Sequence, residues 1–429
     1  MNLENLNRRS FLKKTNTVVL GTALATSSLN LYANSAPKKI KIGLVGCGGR
    51  GTGAASQALR ADPNVVITAV ADIFQDQVDL CLDSLRQISN DQVKVDSKNI
   101  FLGFLGFQKL MNTDVDVVLL CSPPNFRPDH LEEAVKKGKH IFCEKPVAVD
   151  IPNLKRVFES VKIAKEKNLC LVSGFCFRYA TPNREIFQKI KQGDIGDIQS
   201  VSTFRFGGEL SHKERHAGWS DLEYQLRNWF YFQRYSGDLI VEQAIHSVDM
   251  MSWALGDIVP KTIIATGGRQ SRELDKFGNV YDHMSIEFDY GNGLKAFHSC
   301  RQQNGTDSRN SVDVIGKNGR ANLNIPSNFE IYGDKAWKFT GRNNNMYQTQ
   351  HDELFAAIRD KKAINDGPHL ANSTLLAIWS RTAAYTGKAI TYDQIMQSTE
   401  VLGPTSLEYD WKMQADNRGI PQPGKTPFV

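Results

Sequence analysis

Between residues 39 and 172 the chain repeats one pattern five times: a short, almost wholly apolar run, then a stretch with helical spacing. The runs are KIGLV, VVITAVAD, DVDVVLLCS, HIFCE and LCLVSG, and the intervening segments include residues 128–137 and 151–167. A strand with one face in water alternates apolar and polar side chains. Strands with no polar side are buried on both faces, and a parallel sheet covered above and below by helices provides that burial. The pattern therefore predicts an α/β domain over residues 36–173, built on a doubly wound parallel sheet.

Beyond Gly174 the texture changes. A helical stretch at 183–192 is followed by strand candidates at 199–206, 261–266, 283–290, 294–301 and 311–315, several with period-two alternation and with Asn292-Gly293 and Asn318-Gly319 as turns. This predicts an α+β domain over 174–402 around one large, mostly antiparallel open sheet. Two late helices, 351–361 and 370–387, are expected to pack back on the first domain. Residues 403–429 carry Pro404, Pro421, Pro423 and Pro427 without periodicity and read as an extended arm. A chain of 429 residues is too long for one core, in keeping with two domains.

At the other end, Arg8-Arg9-Ser10-Phe11-Leu12-Lys13 precedes a weakly apolar run at 17–31 and small residues at Ala33 and Ser35. That order is the twin-arginine pattern of bacterial export, so residues 1–35 are expected to be a signal peptide and the protein periplasmic or otherwise exported. The alternative is a plain disordered tail. The apolar run is too short and too rich in Thr and Ser to cross roughly 30 Å of hydrocarbon, which argues against a stable membrane anchor. The formal charge is +6, of which residues 1–35 supply +3, and no basic tract remains to bind nucleic acid. Seven cysteines without paired spacing or a CxxC suggest neither a disulfide framework nor a zinc site.

The first apolar run leads into IGLVGCGGRG, which places Gly46, Gly48 and Gly51 as G-x-G-x-x-G, with Gly49 and Arg50 inside the turn. Glycine there permits a tight turn and lets backbone NH groups approach a pyrophosphate at a helix N-terminus, the Rossmann-type arrangement. Asp72 ends the next strand 21 residues beyond Gly51, where a carboxylate accepts hydrogen bonds from an adenosine ribose. An acid at that point repels a 2′-phosphate, so NAD is favoured over NADP. An ordinary strand-end acid is the alternative for Asp72.

Two further segments fall at the carboxyl edge of the same sheet, where open α/β folds bind ligands: Ser122-Pro123-Pro124-Asn125 and Glu144-Lys145-Pro146. Later, GDLIVEQAIHSVDMMSWALG carries Glu242, His246 and Asp249 at i, i+4 and i+7, one face of a helix. With GCGGRG, SPP, EKP, GFCFRY and the closing AAYTGKAITY, the chain resembles the Gfo/Idh/MocA oxidoreductases over nearly its whole length past residue 35. The resemblance implies that Lys145 and His246 face the nicotinamide and the reacting carbinol, and that Ser122, Pro123, Asn125 and Glu144 border the cofactor. Glu242 stands where the family commonly has aspartate, and Asn125 and Arg127 where it often has histidines.

Oxidation of a secondary alcohol takes a proton from oxygen and a hydride from carbon, so a titratable group must reach the hydroxyl. His246, of a type with pKa near 6.5, is the natural base, and Lys145 is a candidate to polarise the same oxygen or to act as the base itself. Without Lys145 beside it, His246 would read as a core histidine. Asp249 is a candidate to set the imidazole tautomer or is a helix-surface acid, and Glu242 a candidate to orient Lys145 or a sugar hydroxyl. Arg178, and Arg227 and Tyr231 in YQLRNWFYFQRY, offer planar donors and rings for a sugar, although the latter stretch also fits a packed loop at a subunit contact. His212 and His216 have metal-like spacing but read as solvated loop residues, and no metal site is expected.

The expected activity is hydride exchange between a sugar or glycoside hydroxyl and NAD. The alternative, resembling the NAD-dependent α-N-acetylgalactosaminidases, is glycoside hydrolysis through transient oxidation at C3 and elimination; a non-catalytic sugar-binding protein is a third reading. An exported enzyme has no external NAD pool, so its cofactor is expected to stay bound and to be recycled in place. The open face of the second sheet has to be covered, and a homodimer or homotetramer is the expected assembly.

Overall fold

The computed structural model describes residues 38–429, so the export signal expected over residues 1–35 lies outside the described residues. Six strands, β1 (Ile40–Val45), β2 (Val65–Asp72), β3 (Ile100–Leu102), β4 (Val117–Leu120), β5 (His140–Cys143) and β6 (Leu171–Ser173), form a parallel sheet in the order 3-2-1-4-5-6. The order reverses between β1 and β4, and this switch point opens a crevice at the carboxyl edge. One face buries Val45, Val118, Leu120 and Ile141 under the helices Arg127–Lys136 and Ile151–Glu166. The other buries Ile42, Leu44, Ile67 and Leu119 under Gly49–Ala61, Gln75–Ser89 and the late helix Met346–Asp360. Both faces are therefore dry, as the apolar runs require. The short β3, IFL, escapes the sequence pattern because edge strands need little apolar length.

Nine strands make the second sheet: β7 (Ile198–Gly207), β8 (Thr262–Gly268), β9 (His283–Gly291), β10 (Leu294–Gln302), β11 (Arg309–Gly316), β12 (Gly319–Asn324), β13 (Asn328–Gly333), β14 (Trp337–Lys338) and β15 (Ile390–Thr391), in the order 14-13-12-11-7-10-9-8-15. All pairings are antiparallel except β7 with β10. The inner face, with Val201, Ala296, Phe288 and Val314 fully buried, packs against the helices Ile245–Ala254 and Gly367–Thr386. The outer face leaves Ile264, Phe297, Ile315 and Tyr332 exposed. Met346–Asp360 packs on Gly49–Ala61 and Gly367–Thr386 on Ile151–Glu166, so the late helices return to the first sheet. The tail from Gly403 has neither helix nor strand and runs back across the molecule through contacts of Ser406, Tyr409, Asp416 and Arg418.

The turn after β1 is held by two close approaches. Gly46 has φ +94°, and a Cβ on it would lie 2.5 Å from the Ser122 amide nitrogen; a Cβ on Gly51 would lie 1.8 Å from the Gly46 carbonyl oxygen. Replacement Gly51→Ala is expected to cost about 1–3 kcal/mol, seen as a lowered thermal midpoint, because backbone has to move to admit the methyl group. An unchanged midpoint would show that the approach of helix to turn is looser than described.

His351 lies fully buried with its ring 4.4 Å from the Phe142 ring and no partner for either nitrogen. Burial pushes its pKa down to about 3. Because the unfolded chain binds this proton near pH 6.5 and the folded chain does not, the site favours folding fully above about pH 6.5, and that stability is withdrawn as pH falls toward 3. In His351→Leu this acid sensitivity disappears. The difference in melting temperature between variant and wild type should thus move in favour of the variant on acidification, and a constant difference would contradict the assignment.

Candidate active site

The crevice at the switch point is bounded by Gly46, Gly48, Asp72, Ser122, Pro123 and Arg227. The helix Gly49–Ala61 begins there with Gly48 as N-cap and no side chain capping it, and a Cβ on Gly48 or Gly49 would meet nothing within 4 Å. Its first NH groups are thus free for an anion. Asp72 receives the Cys47 amide at 2.6 Å and the Phe74 amide at 2.9 Å; burial pushes its carboxyl up, and these NH groups pull it back. Asn125 donates to the Tyr409 hydroxyl at 3.1 Å, while its own Oδ1 is buried without a partner. Ser122 Oγ bonds His130 Nδ1 at 2.9 Å. An open helix terminus, a carboxylate at the end of β2 and an orphaned amide oxygen on one rim fit a dinucleotide.

Arg50 pairs with Glu144 at 2.8 Å, and Glu144 also accepts the Lys145 amide at 3.1 Å, so the turn after β5 is tied to the glycine turn after β1. The Lys145 ammonium then points across to the second domain, where it donates to the Glu242 carbonyl at 2.6 Å and lies 3.4 Å from the Glu242 carboxylate. The helix expected through Glu242, His246 and Asp249 is interrupted: one turn covers Leu239–Glu242, and a separate helix covers Ile245–Ala254. The Leu239 carbonyl accepts from both Gln243 and Ala244, and this i to i+5 bond widens the turn. The Glu242 carbonyl, which in a continuous helix would take the His246 amide, is left for Lys145.

His246 stands in the first turn of the second helix, edge-on to Phe175 at 5.9 Å and 5.1 Å from the Phe177 ring, with Nδ1 buried and unpartnered. Burial first, then the charges of Lys145 and Arg205, lower its pKa well below the usual value and keep the imidazole neutral. Lys145, Glu242 and His246 are therefore brought together. Asp249 is not part of this group. It is fully buried and accepts from Arg178 at 2.9 Å and Ser373 at 2.8 Å, so it does not orient the His246 ring, and it is no surface acid either.

Three expected substrate ligands are also placed elsewhere. Arg178 is consumed by Asp249 and Asp257, the latter at 2.6 Å. Arg227 reaches the cofactor crevice instead, paired with Asp76 at 3.0 Å and lying 3.9 Å over Phe74. That pair holds the Asp76 carboxyl down at about 2. Tyr231 is buried in an apolar cluster with Leu222, Leu226 and Phe277 and donates its hydroxyl to the Leu210 carbonyl. Within this chain the aromatic stretch is packed rather than open to a ligand. His212 bonds the Tyr224 hydroxyl at 2.7 Å, and the His216 ring lies 4.6 Å from that of Trp219, tilted by 51°. Arg205 escaped the sequence reading, although the alternation STFRFG sets it on the same face as the buried Val201 and Thr203.

Residues 40–175 match the oxidoreductase family with an NAD-binding Rossmann fold, GFO/IDH/MocA, and residues 183–322 match the GFO/IDH/MocA C-terminal domain. The 2,7-anhydro-N-acetylneuraminate hydratase of Escherichia coli K12 is 29% identical over 41% of this chain and 44% of its own length. Inositol 2-dehydrogenase of Rhizobium meliloti is 27% identical over 59% of this chain and 74% of its own. The chain spans about half the length of the first curated relatives it matches. Among solved structures, aldose-aldose oxidoreductase from Caulobacter crescentus superposes with a TM-score of 0.65 at 17% identity, over 82% of this chain and 100% of that one. With both domain matches in the expected order on the two sheets described above, the chain belongs to the GFO/IDH/MocA oxidoreductase family.

Proposed function

We propose that the protein transfers hydride between a secondary hydroxyl of a sugar or glycoside and an NAD that stays bound between turnovers. The observation that carries this reading is the meeting of Lys145, from the edge of the nucleotide sheet, with a neutral His246 from the second domain. Bound NAD would supply the hydride acceptor, held at Gly46, Gly48, Asp72 and Asn125. The unprotonated His246 takes the hydroxyl proton, and Lys145 donates a hydrogen bond to the same oxygen as charge develops on it. Glu242 fixes where the ammonium points.

Retention of the cofactor follows from the export signal expected over residues 1–35, since no external pool could replace a lost molecule. The carboxy-terminal arm supports it. Trp411 lies 4.9 Å from Phe104 and 5.8 Å from Phe74, Tyr409 lies 5.2 Å from Phe104, and Ser406 is anchored to Asp129 at 2.5 Å. The arm is thereby strapped along the rim that carries Asn125. Ile264, Phe297, Ile315 and Tyr332, exposed among paired charges on the outer face of the second sheet, support self-association, the partner being a second copy of this chain. Phe297→Lys in its centre should lower the mass read by light scattering, and an unchanged mass would place the contact elsewhere.

Denaturing the purified protein should release about one NAD per chain; a protein that emerges empty contradicts retention. Lys145→Ala and His246→Ala should lose turnover by about 10²-fold or more while NAD stays bound. Loss of NAD instead would reassign both residues to binding. Since the His246 pKa is lowered, its base form persists below pH 6.5, and kcat should hold through that value and fall only in more acidic buffer. Release of aglycone from p-nitrophenyl glycosides with no added acceptor would favour the hydrolytic alternative.

A further inference from the structure

We propose that the substrate carries a carboxylate and that Arg205 is the residue that reads it; the site is thus one for a sugar acid or a glycoside of one. This rests on the hydride-transfer reading above for the reaction, and on separate observations for the charge.

Arg205 stands on β7 in register with Cys300 of β10 and Asn310 of β11, on the inner face of the sheet. Two residues before it on that face, Thr203 is fully buried. Among the described residues its guanidinium has neither an ion pair nor a side-chain hydrogen bond. Several other deeply placed arginines are engaged: Arg178 with Asp249 and Asp257, Arg381 with Glu400 and the Val149 carbonyl, Arg272 with the Tyr281 carbonyl and Gln302, and Arg127 with the Pro146 carbonyl, while Arg234 keeps Nε and Nη1 buried without a partner away from this cleft. Arg205 is half-buried, and with no internal side chain on its guanidinium a carboxylate from outside the chain can take both edges without displacing a partner.

The surroundings say where that partner lies. Arg205 lines a cleft of about 1020 Å³ together with Gln243, Asn310, Arg301, Arg309 and Asn324. Asn310 Oδ1 is buried there without a hydrogen-bond partner. β7 packs against the helix Ile245–Ala254 that carries His246, so the inner-face position of Arg205 turns it toward that helix. Arg309 is matched by Asp313 at 3.4 Å, and Arg301 donates to the Asp307 carbonyl at 2.9 Å and lies over Phe206, which leaves Arg205 as the guanidinium with both edges free. Burial first, and then the Arg205 charge, lowers the His246 and His298 imidazoles, and Arg205 in turn lies within reach of Tyr347, Cys176 and Glu242. A planar guanidinium binds carboxylate through two parallel hydrogen bonds, a geometry that a hydroxyl cannot return.

The test is calorimetric titration of the NAD-loaded protein with D-glucuronate, D-galacturonate and D-gluconate, each beside its neutral counterpart D-glucose or D-galactose. At least one acid should bind about 10- to 100-fold more tightly than the neutral sugar, the range a charge-assisted pair commands. Arg205→Gln should abolish that preference and Arg205→Lys should restore part of it, with melting temperatures confirming that both variants fold. Equal affinity for acid and neutral sugars, or a preference that survives Arg205→Gln, overturns the proposal. Nicotinamide reduction followed by absorbance separates it from the parent reading. Acids that bind through Arg205 without reducing the cofactor defeat hydride transfer alone, whereas reduction by neutral sugars with no preference for acids defeats the carboxylate alone.

Discussion

A single lysine joins the two halves of the site. The Lys145 ammonium is donated across the domain boundary to a peptide carbonyl, that of Glu242, which is available only because the helix around it is broken. Had the segment run as one helix, that oxygen would have been satisfied by the His246 amide, and Lys145 would have faced a carboxylate alone. The break thus does two things at once: it gives the ammonium a fixed neutral acceptor, and it starts a fresh helix whose first turn holds His246. Two polar groups that would repel each other as cations are made compatible because burial and the lysine charge together keep the imidazole neutral.

The glycine turn constrains the other side of the crevice in a different way. Gly46 and Gly51 are set by contact with backbone, Gly48 and Gly49 by the absence of any contact. The first pair closes the turn, and the second leaves the helix terminus bare. The Arg50–Glu144 pair then links this turn to the strand end that carries Lys145, so that the phosphate end and the reacting end of the crevice share one rigid edge.

Much of this was legible in the sequence because it obeys local rules. The five apolar runs became strands buried on both faces, G-x-G-x-x-G became the turn, and the positions of Lys145 and His246 followed from motifs at strand and helix ends. The errors have a common cause, which is that side-chain destinations are set by tertiary partners. Nothing near Asp249 in the chain announces that Arg178 and Ser373 will claim it, and Arg227 could not be placed beside Asp76 by spacing alone. Spacing at i, i+4 and i+7 assumed a regular helix, and a single i to i+5 bond defeated it. Arg205 was hidden for the opposite reason: within an alternating strand a charged residue looks like the solvent side until the register of its neighbours is known.

The parallel pairing of β7 with β10 also governs how the protein is made. Thr203 and His298, opposite each other in that pairing and hydrogen-bonded at 2.8 Å, are 95 residues apart in the chain. The strand at the middle of the large sheet therefore emerges from the ribosome long before either neighbour exists, and its closure carries the entropic toll of a very long loop. Until then it is an unpaired edge that can template aggregation. Assembly of the second domain is thus expected to be slow and to lean on chaperones, and the nucleotide sheet too stays partly uncovered on one face until the late helix Met346–Asp360 arrives.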